Sequence, residues 1–154
     1  MKQKRPIIVC RVGLQIKELN YALQERNNGM EIEFLGLENI EAGKAYEASL
    51  RFIIAMAFHN LYKDVDIRFS YNVSRAIFCQ VLTPGFHLPR ATDAIINEVK
   101  RIIKANLPIE RVTVTIDEAK EIYKQYNHQD KLDILKYRPE NTVHLYKCGD
   151  YYDY

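Results

Sequence analysis

Cysteine is scarce in this sequence, and long apolar runs are missing from it. The 154 residues include three cysteines, Cys10, Cys79 and Cys148. They are odd in number, far apart and in no C-x-x-C pair, which argues against a disulfide framework and for reduced thiols. No apolar stretch approaches the roughly 20 residues that a membrane-spanning helix needs, and the N-terminus lacks the h-region of a secretory signal. A cytoplasmic chain with no membrane contact is the expectation. Glycine is sparse as well: the six glycines are isolated, with neither G-x-x-x-x-G-K-[ST] nor G-x-G-x-x-G among them. Without an amide cradle and its lysine, the chain cannot hold nucleotide phosphates as a P-loop kinase does. The four histidines, His59, His87, His128 and His144, show no metal-ligand spacing, so surface or supporting roles are expected of them. A net charge of +2 falls well short of the balance of a dedicated DNA binder, and leaves RNA contact open without implying it.

What is present suits a single domain, or a domain plus a fragment of another. At 47% hydrophobic the chain can bury a core without staples. Its strongest signal is residues 44–63, where Tyr46, Leu50, Ile53, Ile54, Ala57 and Leu61 recur at three- and four-residue steps. Phe52, Met56 and Phe58 make the segment apolar nearly all round, as for a helix buried between two layers. Gly43 is its expected upstream bound.

Residues 1–40 read as a small β-rich unit without a helix of its own. Two short strands are expected over 6–12 and 15–19, with Gly13-Leu14 between them and a turn at Asn27-Asn28-Gly29. Met30, Ile32 and Phe34 then alternate with Glu31 and Glu33, as in a half-buried strand. Beyond the central helix, residues 65–69 and 77–82 form an expected antiparallel pair with a turn at 72–74. A helix over 92–105 carries Ile95, Ile96, Val99, Ile102 and Ile103 on one face. A strand around Val112 and Val114 leads into Thr115-Ile116-Asp117-Glu118, a capping box opening a third helix. A helical turn over 130–135 and a strand from Val143 follow. Helices mixed with antiparallel strands indicate an α+β fold.

Several blocks together carry a family resemblance. They are Leu107-Pro108-Ile109-Glu110-Arg111 with Glu118-Ala119; residues 130–135; and Leu145-Tyr146-Lys147-Cys148-Gly149-Asp150-Tyr151-Tyr152-Asp153-Tyr154. Joined to Tyr46-Glu47-Ala48-Ser49-Leu50-Arg51-Phe52, they resemble the editing-like second N-terminal domain of threonyl-tRNA synthetases. The version upstream of the kinase in bacterial uridine kinase-like proteins, of the phosphoribulokinase/uridine kinase group, is the more similar. Residues 1–40 resemble the latter part of a TGS (β-grasp) domain through Arg11-Val12, Leu19-Asn20-Tyr21 and Glu33-Phe34-Leu35. The resemblance therefore implies a partial TGS-like segment at 1–40 and an editing-like domain at 41–154 truncated at its C-terminus. The implied fold is an antiparallel sheet packed against helices.

In the editing synthetases the central helix opens with an H-x-x-x-H pair. Those positions fall on Ala48 and Phe52, and neither side chain can ligate a metal or activate water. The companion C-x-x-x-H would begin just past Tyr154, with Asp153 matching the acidic residue before it. The strand histidine of the kinase-associated relatives corresponds to Tyr71, and Cys79 matches a cysteine common among them. Ala48, Phe52, Tyr71, Cys79, Asp150 and Asp153 are thus the positions of a degenerate pocket, with no catalytic or metal-ligating set.

The resemblance implies a non-catalytic accessory, regulatory or binding domain of a uridine kinase-like protein. No cofactor is expected in this chain; ATP and magnesium belong to a downstream kinase domain, the transferase part of the parent. The partners implied are that kinase domain and tRNA or other RNA. One alternative is a divergent tRNA-editing hydrolase using Cys79, Asp150 and Asp153. Another is a stand-alone RNA-binding module, with Lys100, Arg101, Lys104, Lys120, Lys124, Lys131, Lys136 and Arg138 interleaved with Tyr123, Tyr126 and Tyr137. Interspersed acids make an ordinary solvated face the better reading of that surface. Tyr146, Tyr151, Tyr152 and Tyr154 read as the cut edge of a core that continues downstream.

Overall fold

The computed structural model describes residues 6–73, 76–126 and 129–154. Ser74, at the expected hairpin turn, and His128 lie outside the described residues. The fold is α+β, with four α-helices and three small antiparallel sheets among the described residues. Its backbone contacts separate two compact units, Met1–Arg51 and Phe52–Tyr154, and the division falls inside the long helix α1 (Ile40–Leu61).

In the first unit the strands β1 (Ile7–Val12), β2 (Gln15–Lys17) and β3 (Ile32–Gly36) form a sheet in the order β2-β1-β3. Gly13 turns β1 into β2 at φ +59°, a left-handed conformation that glycine adopts without strain. Val9, Leu35 and Ala42 are the buried centre, with Ile8, Ile16 and Ala45 against them. The expected alternation in β3 is absent: Ile32, Glu33 and Phe34 are all exposed, and the buried residues are the adjacent Leu35, paired with Val9 beside a register shift in β1, and Gly36. A single 3-10 turn at Glu25–Asn27, unforeseen in the sequence, precedes Gly29.

Helix α1 starts at Ile40, four residues before the expected start, and runs through Gly43. The side chain of Asn39 accepts from the Glu41 amide at 2.9 Å and its carbonyl from the Gly43 amide, so the start signal is asparagine rather than glycine. Its buried residues are Ala42, Phe52, Met56, Ala57 and Phe58, whereas Tyr46 and Leu61 from the expected stripe are exposed.

The second unit adds a hairpin of β4 (Ile67–Val73) and β5 (Ala76–Val81), with the expected antiparallel pairing. Helix α2 (Leu88–Ala105) begins earlier than expected, since Pro89 sits in its first turn, where a missing N–H costs nothing. Asn106 ends it in a left-handed conformation. Ala91, Ile95 and Ile102 are its buried residues, while Ile96 and Ile103 of the expected face are exposed.

Strands β6 (Glu110–Thr115), β7 (Thr142–Cys148) and β8 (Tyr151–Asp153) form the third sheet in sequence order. The capping box opens α3 (Ile116–Gln125) as expected: the Glu118 amide donates to Thr115 Oγ1, and the Thr115 amide donates to Glu118 Oε2. Val143 and Leu145 on alternate positions of β7 pack with Ala119 and Tyr123 of α3 and Leu135 of α4 (Gln129–Leu135). Burying Leu145 completely is worth on the order of 2 kcal/mol.

Candidate functional site: an aromatic cluster around Phe52 and Tyr151

Phe52, Met56 and Ala57 of α1 meet Ile102 of α2 and Cys148 and Tyr151 of the last hairpin in one buried cluster. The Phe52 ring stands edge-on to Tyr151, with centroids 5.2 Å apart and planes at 67°. Tyr151 in turn stacks on Tyr126, 5.7 Å away and nearly parallel. His59 completes the group, its ring 4.4 Å from Tyr126 and 5.2 Å from Tyr151. His59, of which the sequence suggested a surface or supporting role, is half-buried against these tyrosines. Its partners come from chain-distant elements, so helical periodicity carried no signal of them.

Polar contacts line one side of this cluster. Tyr151 donates its hydroxyl to Asp153 Oδ2 at 3.1 Å, and Asp153 Oδ1 accepts from Lys131 Nζ and from the Tyr154 amide. The Lys131 ammonium also lies 5.5 Å from the centre of the Tyr123 ring. Burial, reinforced by the Asp153 charge, pushes the phenols of Tyr151 and Tyr123 well above the ordinary tyrosine value. Both stay protonated at neutral pH, and Tyr151 serves as a donor to Asp153, not as a base. Tyr126 OH donates to the Asp150 carbonyl at 2.9 Å and accepts from the Tyr152 amide, tying the end of α3 to the β7–β8 turn. That turn needs Gly149, whose φ is +58°. Tyr151 is buried in this core, whereas Tyr154 is exposed.

Phe52 and Asp153 both contact Tyr151. Ala48 is exposed, and Asp150 lies on the exposed turn. Tyr71 sits on the exposed face of the β4–β5 hairpin and Cys79 on its half-buried face, across from Phe69. Among the described residues no hydrogen bond, ion pair or ring contact joins Tyr71 or Cys79 to Phe52, Asp150 or Asp153. Burial pushes the Cys79 thiol up, away from the thiolate that a nucleophile requires. Among the described residues no group of three His, Cys, Asp or Glu side chains is placed to hold a metal ion.

The basic residues largely cancel against their own neighbours. Arg101, Lys120, Lys124 and Lys136 pair with Glu98, Asp117, Glu121 and Asp133 at i,i+3 spacing, and Lys131 pairs with Asp153. Arg138 binds the Tyr154 hydroxyl and lies over its ring. These paired charges behave as the solvated face that the sequence favoured. No helix among the described residues is long and apolar enough to cross a membrane.

No family model matches the chain. It is similar to threonine–tRNA ligases: 32% identical to that of Thermotoga neapolitana over 125 residues, 79% of this chain and 19% of the relative. Against the ligase of Bacillus velezensis it is 29% identical over 151 residues, 97% of this chain and 23% of the relative. Against that of Clostridium kluyveri it is 26% identical over 140 residues, 90% and 22%. The chain therefore spans about a fifth of the length of these curated relatives. Its likeness is to a segment of a tRNA ligase, in agreement with the α+β fold expected of the editing-like domain.

Proposed function

We propose that this chain is a tRNA-synthetase-derived accessory domain whose editing chemistry has been lost, and that it serves binding or regulation. One observation carries this reading. At the position where the resemblance calls for the second imidazole stands Phe52, buried and locked edge-on to Tyr151, and Ala48 offers only a methyl group one turn earlier. A phenyl ring packed in a core neither binds a metal nor moves a proton. The similarity to threonine–tRNA ligases over most of the chain supports a tRNA-related partner. We assign residues 1–40 to a partial TGS-like segment and 41–154 to the editing-like domain, with Ala48, Phe52, Tyr71, Cys79, Asp150 and Asp153 as its vestigial pocket. The proposed parent is a cytoplasmic uridine kinase-like protein whose ATP- and magnesium-dependent chemistry lies in a separate kinase domain. The test is to incubate the purified chain with mischarged threonine tRNA, and separately with uridine and ATP. No deacylation above the spontaneous rate and no phosphorylation are expected; turnover in either assay overturns the assignment.

A second reading, a divergent editing hydrolase, draws on the partly buried Asp153–Lys131 pair beside Tyr151. It requires deacylation that Asp153→Ala abolishes. Against it stand a phenol held protonated and an aspartate already engaged by lysine.

A further inference from the structure

The exposed face of the β4–β5 hairpin carries Tyr71, one of the vestigial-pocket positions, in an arrangement that the buried core does not use. Phe69 pairs with Cys79 and Asn72 with Ile77, so Ser70 and Tyr71 together oppose the single residue Phe78. This β-bulge re-aims Tyr71 onto the Phe78 side of the hairpin. The two rings stack with centroids 5.2 Å apart and planes only 14° from parallel, yet Tyr71 is 62% and Phe78 40% exposed. Arg68, three positions before Tyr71, and Gln80, two positions after Phe78, face each other across the ladder and are exposed on the same side. Neither Arg68 nor Gln80 makes an ion pair or side-chain hydrogen bond among the described residues. Most of the helical basic residues pair with acidic neighbours, whereas Arg68, on the same face as the exposed aromatic stack, pairs with none among the described residues.

We propose that this face is a stacking platform for single-stranded nucleic acid. Tyr71 and Phe78 present ring surface to a base, Arg68 contacts a phosphate, and Gln80 hydrogen-bonds a base edge or sugar. An exposed parallel ring pair offers a flat apolar surface that any nucleobase matches, and an unpaired guanidinium supplies the complementary charge. Asp66, the acidic residue two positions beyond Arg68, sits at the foot of the strand, where Thr83 Oγ1 accepts from its amide. Preference for nucleic acid over a peptide rests on the tRNA-related reading above.

The test is fluorescence anisotropy of the full chain with a labelled single-stranded RNA octamer at 50 to 500 mM salt. The expected result is affinity that falls as salt rises. Tyr71→Ser and Phe78→Ser should each weaken binding at least about fivefold, Tyr71→Phe should bind as the parent does, and Arg68→Gln should weaken binding and flatten the salt dependence. Absence of binding at low salt overturns the proposal. So do serine variants that bind like the parent but melt at lower temperature, because the ring pair is then only a clasp on the hairpin. Should a serine variant lose its fold, the parent decides: stacking shifts the ring proton signals of Tyr71 and Phe78 when RNA is added, and unmoved signals refute it. Whole threonine tRNA, run in parallel, separates the two hypotheses. Binding of tRNA that ignores Tyr71→Ser overturns the platform and leaves the accessory reading standing. Octamer binding through these rings without tRNA binding sustains the platform and removes the tRNA-related reading.

Discussion

At the residue scale Phe52 brings a core contact and no ionisable group to its position on α1. The ring fills space that an imidazole would leave partly polar, so it contributes to stability where a histidine would contribute to chemistry. Phe52→Ala should cost about 3–5 kcal/mol, read as a lower urea midpoint with little change in slope. Cys79 gives a second check. Its thiol is raised by burial, so alkylation by iodoacetamide at pH 7.5 should be slower than that of a free cysteine model; a faster rate would mark an activated thiol and favour the hydrolase reading. The lack of paired imidazoles was legible in the sequence because it needs only residue identity. The ring environment of His59 was not, since Tyr126 and Tyr151 reach it through chain-distant packing.

At the scale of elements, sequence patterns succeeded where the signal was local. The Thr115–Glu118 box marks the start of α3 with both reciprocal hydrogen bonds present, and Thr115→Ala should destabilise the chain by about 1 kcal/mol in denaturant unfolding. The Glu118 carboxyl is held below its ordinary value by the Thr115 amide first and its hydroxyl second. Arg101 lowers that of Glu98, Lys120 that of Asp117, and Lys136 with Gln129 that of Asp133. A carboxyl with a depressed folded value contributes stability above its unfolded value, and loses that contribution as pH falls through the folded one. Thermal stability should therefore decline as pH drops below about 4.3, the ordinary glutamate value. Glu118→Gln should flatten that decline, and a slope unchanged from the parent would contradict the capping role. Patterns failed where tertiary contacts decide. Alternation set Ile32 and Phe34 inward, but both are exposed, and burial in β3 is confined to Leu35 and Gly36 beside a register shift in β1. Gly43 looked like a boundary, yet Asn39 had already capped the helix.

At the scale of the whole chain, an α+β fold accompanies a sequence likeness to about a fifth of a tRNA ligase. The division inside α1 sets Ala48 and Phe52 on different sides of a unit boundary. No window of sequence periodicity foretold that division, because the helical pattern runs through it unbroken. The central claim is chemical silence, and deacylation tests it most directly. Threonine tRNA charged with serine, mixed with the parent chain and with its Asp153→Ala and Cys79→Ala variants, should lose its amino acid at one common rate, that of buffer alone. A faster rate with the parent, abolished by either substitution, would contradict it.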